Sequence, residues 1–210
     1  MSDIPTRRER KKDQTRLALT RSALRLFGEQ GFQATTVEQI AEAADYHRAT
    51  FFRLFASKDD VAFGDIAERL KDARTAFEDS AHAADPWATA REIIIRESNR
   101  FASSDPELQA AYVALWATDP GLQQRFSALM AEWERAVADF FGTCWGVDPQ
   151  HDIECQTIGT AMIGVSRSSM LVAHATGLPI RELLDAGYAT LAAGLTATIT
   201  RRSAQPGRAG

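Results

Sequence analysis

Three permanent cations and a histidine stand close together in one stretch of this chain: His47, Arg48, Arg53 and Lys58, interleaved with Phe51 and Phe52. Guanidinium groups at that density suit one chemistry, the recognition of a polyanion. Arg presents paired donors to guanine or to a phosphate, and Lys acts as a point charge against a phosphate backbone. Catalysis finds no comparable constellation. Gly164-Val165-Ser166-Arg167-Ser168 has the start of a nucleophile elbow, but the closing Gly is missing and no strand precedes it. His151 and Cys155 are spaced i, i+4, as helical metal ligands are, yet their neighbours Asp152 and Glu154 are ordinary first-turn acids. There is no phosphate-cradling glycine loop and no catalytic zinc motif. The sequence therefore assigns no catalytic residue, no metal site and no cofactor.

The elements that must carry those cations are short helices. Thr36 and Gln39 have capping-box spacing, and Ile40, Ala41 and Ala44 then recur as one apolar stripe. Asp45-Tyr46 breaks the run. His47 opens a second one, HRATFFRLF, in which Phe51, Leu54 and Phe55 form the buried face and His47, Arg48, Phe52 and Arg53 the outer face. A third helix begins at Ser57, with Asp59 and Asp60 in its first turn. Two short helices around a tight turn, the second cationic outside and aromatic inside, make a helix-turn-helix. Its second helix is expected in the DNA major groove. Arg48 and Arg53 are the main candidates for base or phosphate contact, with His47 and Gln39 behind them.

The segment resembles the DNA-binding domain of the TetR family of bacterial transcriptional regulators. The matching elements are Leu26-Phe27-Gly28-Glu29-Gln30-Gly31-Phe32, then Thr35-Thr36-Val37 with Ile40-Ala41, then Thr50-Phe51-Phe52-Arg53-Leu54-Phe55 with Ser57-Lys58. Their order and spacing are specific, and they span roughly a quarter of the chain. The resemblance implies a ligand-responsive regulator, a repressor, in which Thr36, Thr50 and Lys58 hold positions that contact the DNA backbone. It also implies that the helix after Lys58 links reading head to body. Asp45 stands where the family usually has Gly, His47 where it has Ser or a similar cap, and Phe52 where it often has Tyr.

The bulk numbers agree once they are divided along the chain. Net charge is −4 over 210 residues, which by itself disfavours nucleic acid. Residues 1–58, however, hold 11 Lys and Arg against 7 Asp and Glu, and the remainder holds 13 against 21. A basic front and an acidic body fit one DNA-facing end, and the acidic body disfavours a sequence-indifferent packaging protein. Hydrophobic residues are 45% of the chain, enough for a real core. Cys144 and Cys155 lack metal-pair spacing and suit a reducing cytosol. No apolar run reaches the length of a membrane span, so no membrane partner is expected and the location is read as cytoplasmic.

The expected fold is all-α, about nine helices. A helix-turn-helix domain over 9–56 precedes a ligand-binding and dimerisation domain over 57–202, with a disordered tail at 203–210. The first helix is read from about Lys12 to Gln30, with Leu17, Leu24 and Phe27 inward, residues 1–8 as loose, and the basic cluster Arg7, Arg8, Arg10, Lys11 and Lys12 as either a solvated tail or an arm near DNA phosphates. Val61, Ile66, Ala67 and Leu70 are read as the inner side of the fourth helix and Arg69 as solvated. Asp85-Pro86, Asp105-Pro106, Asp119-Pro120 and Asp148-Pro149 are read as helix starts. The eighth helix, about 150–176, carries apolar residues on more than one face, so it is expected to be buried on two sides. Together with the ninth, to about Arg202, it is expected to form a homodimer, with Gly159, Gly164, Gly187 and Gly194 allowing close approach. An effector pocket for a small, largely apolar or aromatic molecule is expected among Phe101, Tyr112, Trp116, Phe126, Met130, Trp133 and Met162, with Glu97, Ser98, Ser166 and His174 as polar contacts. The partners are thus a double-stranded DNA operator, a small effector and a second copy of the chain.

Overall fold

The computed structural model describes residues 6–102 and 105–194. Among them the chain forms nine helices and no strand: α1 (Arg7–Gln30), α2 (Val37–Ala43), α3 (Arg48–Leu54), α4 (Lys58–Asp79), α5 (Pro86–Ala102), α6 (Pro106–Thr118), α7 (Pro120–Trp145), α8 (Ile153–Thr176) and α9 (Ile180–Ala193). The expected tail at 203–210, residues 195–202 of the expected ninth helix and the side chain of Phe101 lie outside the described residues.

Helix boundaries follow local chemistry. Three of the four Asp-Pro pairs start helices as expected, with Pro86, Pro106 and Pro120 at first positions. The fourth is a correction: Asp148 Oδ1 accepts from the Gln150 N–H at 2.9 Å, which makes Asp148-Pro149 a turn, and the helix waits for Asp152, whose Oδ1 accepts from Cys155 N–H at 2.9 Å. The start of α1 is a second correction. Thr6 and Glu9 form a reciprocal capping box, so the helix starts at Arg7 rather than near Lys12 and takes in the whole basic cluster. Leu17 is exposed, because it lies about 200° around the helix from Leu19; the buried face is Thr15, Leu19, Thr20, Ala23, Leu24 and Phe27. At the other end α9 stops at Ala193, with Gly194 at φ 81 as its cap rather than a mid-helix glycine.

The helices gather into two compact units. One takes the described residues up to Arg69 together with those between Ser104 and Leu129; the other takes those from Leu70 to Ser103 and from Met130 on. This differs from the expected linear division at 56/57, because α6 and the start of α7 pack with the N-terminal helices.

In the first unit, Phe27, Phe32, Ile40, Phe51 and Phe55 build the core of the helix-turn-helix. The Phe32 ring meets Phe27 edge-on at 4.9 Å, folding the chain back on α1 just after the Gly31 cap. α6 is tied to the second turn of α4 by two donors: Tyr112 Oη gives to Val61 O at 2.9 Å and Trp116 Nε1 to Ala62 O at 3.2 Å. Trp116 stacks between Phe126, Tyr112 and Phe63 at 5.0, 5.4 and 6.1 Å. Ala67 is exposed and Arg69 buried, the reverse of the expected arrangement; Arg69 Nε bonds Asp65 at 2.9 Å.

In the second unit, Phe77, Ile93, Ile94, Ile95, Trp133, Phe140 and Phe141 form the core with Met162, Leu184 and Tyr188. Gly159 brings α8 against α7 so closely that a Cβ would fall 2.4 Å from Glu134 O, and Gly187 brings α9 to within 2.6 Å of Val165 Cγ1 by the same measure. Both glycines therefore serve packing within one chain. Gly164 has nothing within 4 Å.

Candidate functional site

The reading head is assembled from capped, short elements. Thr36 Oγ1 accepts from the Gln39 N–H at 3.2 Å while Gln39 Oε1 accepts from the Thr36 N–H at 2.8 Å, which realises the expected capping box. The Gln39 amide oxygen also accepts from Gln30 Nε2 at 3.0 Å, leaving only its amide N–H groups for a ligand. The turn between α2 and α3 depends on Asp45 at φ 59. An Asp tolerates that left-handed conformation less well than the Gly expected there, though better than most residues. His47 is the cap of α3 and makes no capping bond with its side chain, so its ring stays on the exposed face.

α3 is fixed from beneath and free above. Phe51, Leu54 and Phe55 are buried. Arg16 donates to Leu54 O at 3.1 Å and lies 4.6 Å from the Phe55 ring centroid, which anchors the end of the helix to α1. Above that base, His47, Arg48, Phe52 and Arg53 are exposed, and Thr50 is half-buried. The Arg48 guanidinium meets Glu38 at 2.8 Å and sits 5.1 Å from the Phe52 ring centroid. Glu38 was invisible to sequence reasoning, because its approach to Arg48 is made across the turn. Lys58 departs from expectation. Its ammonium turns inward, donating to Phe32 O, Gln33 O and Thr35 O at 2.7, 3.2 and 3.1 Å, so it does not stand free for a phosphate.

The residues named for an effector fall into groups. Tyr112, Trp116 and Phe126 belong to the ring stack of the first unit, where two of them also bond α4 carbonyls. Met130, Trp133, Met162, Glu97, Ser98 and Ser166 belong to the second unit. There Ser98 Oγ and Ser166 Oγ lie 3.4 Å apart. Glu97 is buried, its carboxylate held by Arg96 at 2.9 Å and Arg100 at 2.7 Å. Tyr188, which sequence reasoning missed, is fully buried beside this group; its hydroxyl donates to Met162 O at 3.2 Å and burial pushes its pKa up to about 12. His174 is exposed and lines no interior. Of the i, i+4 pair His151 and Cys155, the histidine is exposed and bonded to Asp148 at 2.8 Å, while Cys155 is buried with its thiol pushed up to about 11 by desolvation. No helix is long and apolar enough to cross a membrane among the described residues.

Comparison with known proteins gives this geometry a family. The model for bacterial regulatory proteins of the tetR family matches residues 19–64, and that for the MftR C-terminal domain matches residues 65–196. The HTH-type transcriptional regulator TcmR of Streptomyces glaucescens is 34% identical over 168 residues, 78% of this chain and 74% of that protein. The HTH-type transcriptional regulator EthR of Mycolicibacterium smegmatis is 30% identical over 128 residues, 60% of this chain and 58% of that one. Among solved structures, Thermus thermophilus FadR in complex with lauroyl-CoA shares the fold at a TM-score of 0.54 and 23% identity, covering 84% of this chain and 92% of that one. With both halves matched in order and a helix-turn-helix presented as described, the chain belongs to the tetR family of bacterial regulatory proteins and is a DNA-binding transcriptional regulator.

Proposed function

We propose that the protein is a homodimeric repressor that binds a palindromic operator through α3 and leaves it when a small, largely apolar or aromatic effector binds the helical body. The observation that carries the DNA half is the outer face of α3, where Arg48 and Arg53 are exposed over a buried aromatic base. Arg48 and Arg53 read bases or grip phosphates, His47 and the Gln39 amide assist, and Thr36, Thr50 and Phe52 meet the backbone and sugar edge. Two such heads on a two-fold axis fit two half-sites.

The effector half is supported by Glu97, Ser98 and Ser166, which belong to the same unit as Met130, Trp133 and Met162, and by the 3.4 Å approach of the two serine hydroxyls. Hydroxyls and a carboxylate inside an apolar body orient a ligand, and the rings and thioethers supply its contact area. Release then follows from linkage: the effector binds the form that cannot engage the operator more tightly than the form that can. A tenfold loss of operator affinity needs about 1.4 kcal/mol of such preference. Mass spectrometry of small molecules carried through native purification identifies the effector, and titrating it against the operator complex of the wild type and of Trp133→Ala tests its seat. Inducer sensitivity should fall in the variant. A folded Trp133→Ala protein released as readily as the wild type would place the effector elsewhere.

A further inference from the structure

The turn between α1 and α2 converges three carbonyls on one cation. Phe32 O, Gln33 O and Thr35 O all accept from Lys58 Nζ, at 2.7, 3.2 and 3.1 Å. An ammonium has three N–H donors, so these carbonyls engage all of them. The charge also lies 4.4 Å from the Phe32 ring centroid, and Phe32 is itself buried against Phe27. Thr35 is buried too; its hydroxyl donates to Gly31 O at 2.8 Å and accepts from Gln30 Nε2 at 3.1 Å.

The placement argues the same way. Lys58 is the first residue of α4, the end of a helix where a positive charge is disfavoured by the macrodipole. A lysine used only as a surface cation gains nothing there. A lysine that gathers carbonyls from a neighbouring turn does. Burial lowers its pKa, with the Asp119 carboxylate opposing. Thr35 is followed directly by Thr36, the cap of α2, so one ammonium ties the start of α4 to the residue just before the α2 cap.

We infer that Lys58 is a positioning residue for DNA binding: its ammonium holds the α1–α2 turn, and with it the Thr36 cap, in the DNA-competent shape, and neutralises no phosphate itself. This rests on the DNA-binding role of the first unit.

Counterion release separates the two roles. Each phosphate neutralised adds about 0.9 to the slope of log affinity against log salt. The full-length wild type, K58M and K58R are compared on a duplex selected from a random library by the wild type and on a scrambled duplex, across a salt series. Wild-type preference for the selected duplex reports the DNA-binding role; the variants report Lys58. K58M is expected to lose at least about tenfold in affinity for the selected duplex at every salt concentration, with the wild-type slope retained. K58R keeps the charge but offers a planar fork in place of three converging donors, and is expected to lose comparably. A K58M protein that binds like the wild type, or whose slope falls by about 0.9 per subunit, overturns the inference. So does a K58R protein of wild-type affinity, and this arm decides the matter alone if circular dichroism shows K58M unfolded.

Discussion

Arg48 is held on two sides before any DNA arrives, by the Glu38 carboxylate at 2.8 Å and by the Phe52 ring at 5.1 Å. Both partners of the ion pair are more than half exposed, so the pair contributes only about 0–1 kcal/mol to stability. Its consequence is orientation, and it places a negative charge next to the reading face. Arg48→Ala should therefore reduce discrimination between operator and scrambled duplex by about 1–3 kcal/mol while leaving the fold intact. Glu38→Gln should act differently. Affinity for scrambled DNA should rise as the repelling carboxylate goes, and the operator preference should shrink as Arg48 loses its guide. Fluorescence anisotropy on both duplexes reads the two effects, and an unchanged preference in Glu38→Gln would remove Glu38 from the site. At this scale the sequence shows residue types and faces well: the outer residues of α3 were legible from a period of 3.6. It does not show what a long side chain does across a turn. Arg48 finds Glu38, and Lys58 finds three carbonyls, through contacts between residues 10 and 23–26 positions apart.

At the scale of elements, α7 and α8 approach so closely at Gly159 that the site has no room for a methyl group. A Cβ there meets the Glu134 carbonyl oxygen at 2.4 Å, and backbone does not yield as the end of a flexible side chain would. Gly159→Ala should lower stability by roughly 1–3 kcal/mol through overpacking, seen as a lower urea midpoint. Gly28 is the contrast. It lies inside α1 with nothing within 4 Å of its would-be Cβ, so Gly28→Ala should raise stability by roughly 0.5–1 kcal/mol, the ordinary helix preference. If both changes destabilise alike, the close crossing of α7 and α8 is not the cause. Element boundaries were legible wherever a cap stands beside an apolar run, as at Thr36 and Asp119. They were missed where the cap hides in a charged run, as at Thr6-Glu9, or where an Asp-Pro pair closes a turn, as at Asp148.

At the scale of the whole molecule, the order of helices was legible but their grouping was not. α6 joins the N-terminal unit through the Tyr112 and Trp116 hydrogen bonds to α4, and nothing in the spacing of aromatic residues tells a tie of that kind from a pocket wall. The second apolar face of α8 was legible, and it stays exposed among the described residues. Leu171 and Val172 are 48% and 42% exposed, Leu178 just beyond the helix is 49% exposed, and Gly164 is open. Inward-facing Met162 and Ile163 are buried in the same helix. Neighbouring exposed side chains of that size mark an association surface, and under the proposed homodimer a second copy of this face is the expected partner, as a two-fold operator would match. Leu171→Asp with Val172→Asp should break that association, because burying unpaired carboxylates at an apolar contact is strongly unfavourable. Light scattering should report the wild type as a dimer at micromolar concentration and the double variant as a monomer. The variant should keep the wild type's affinity per head for a single half-site duplex, since α3 is untouched. On the full palindrome it should lose at least about a hundredfold, the gain that linking two heads supplies. A double variant that remains dimeric would move the interface off this face of α8, and a wild type that is monomeric yet binds the full palindrome tightly would remove the dimer altogether.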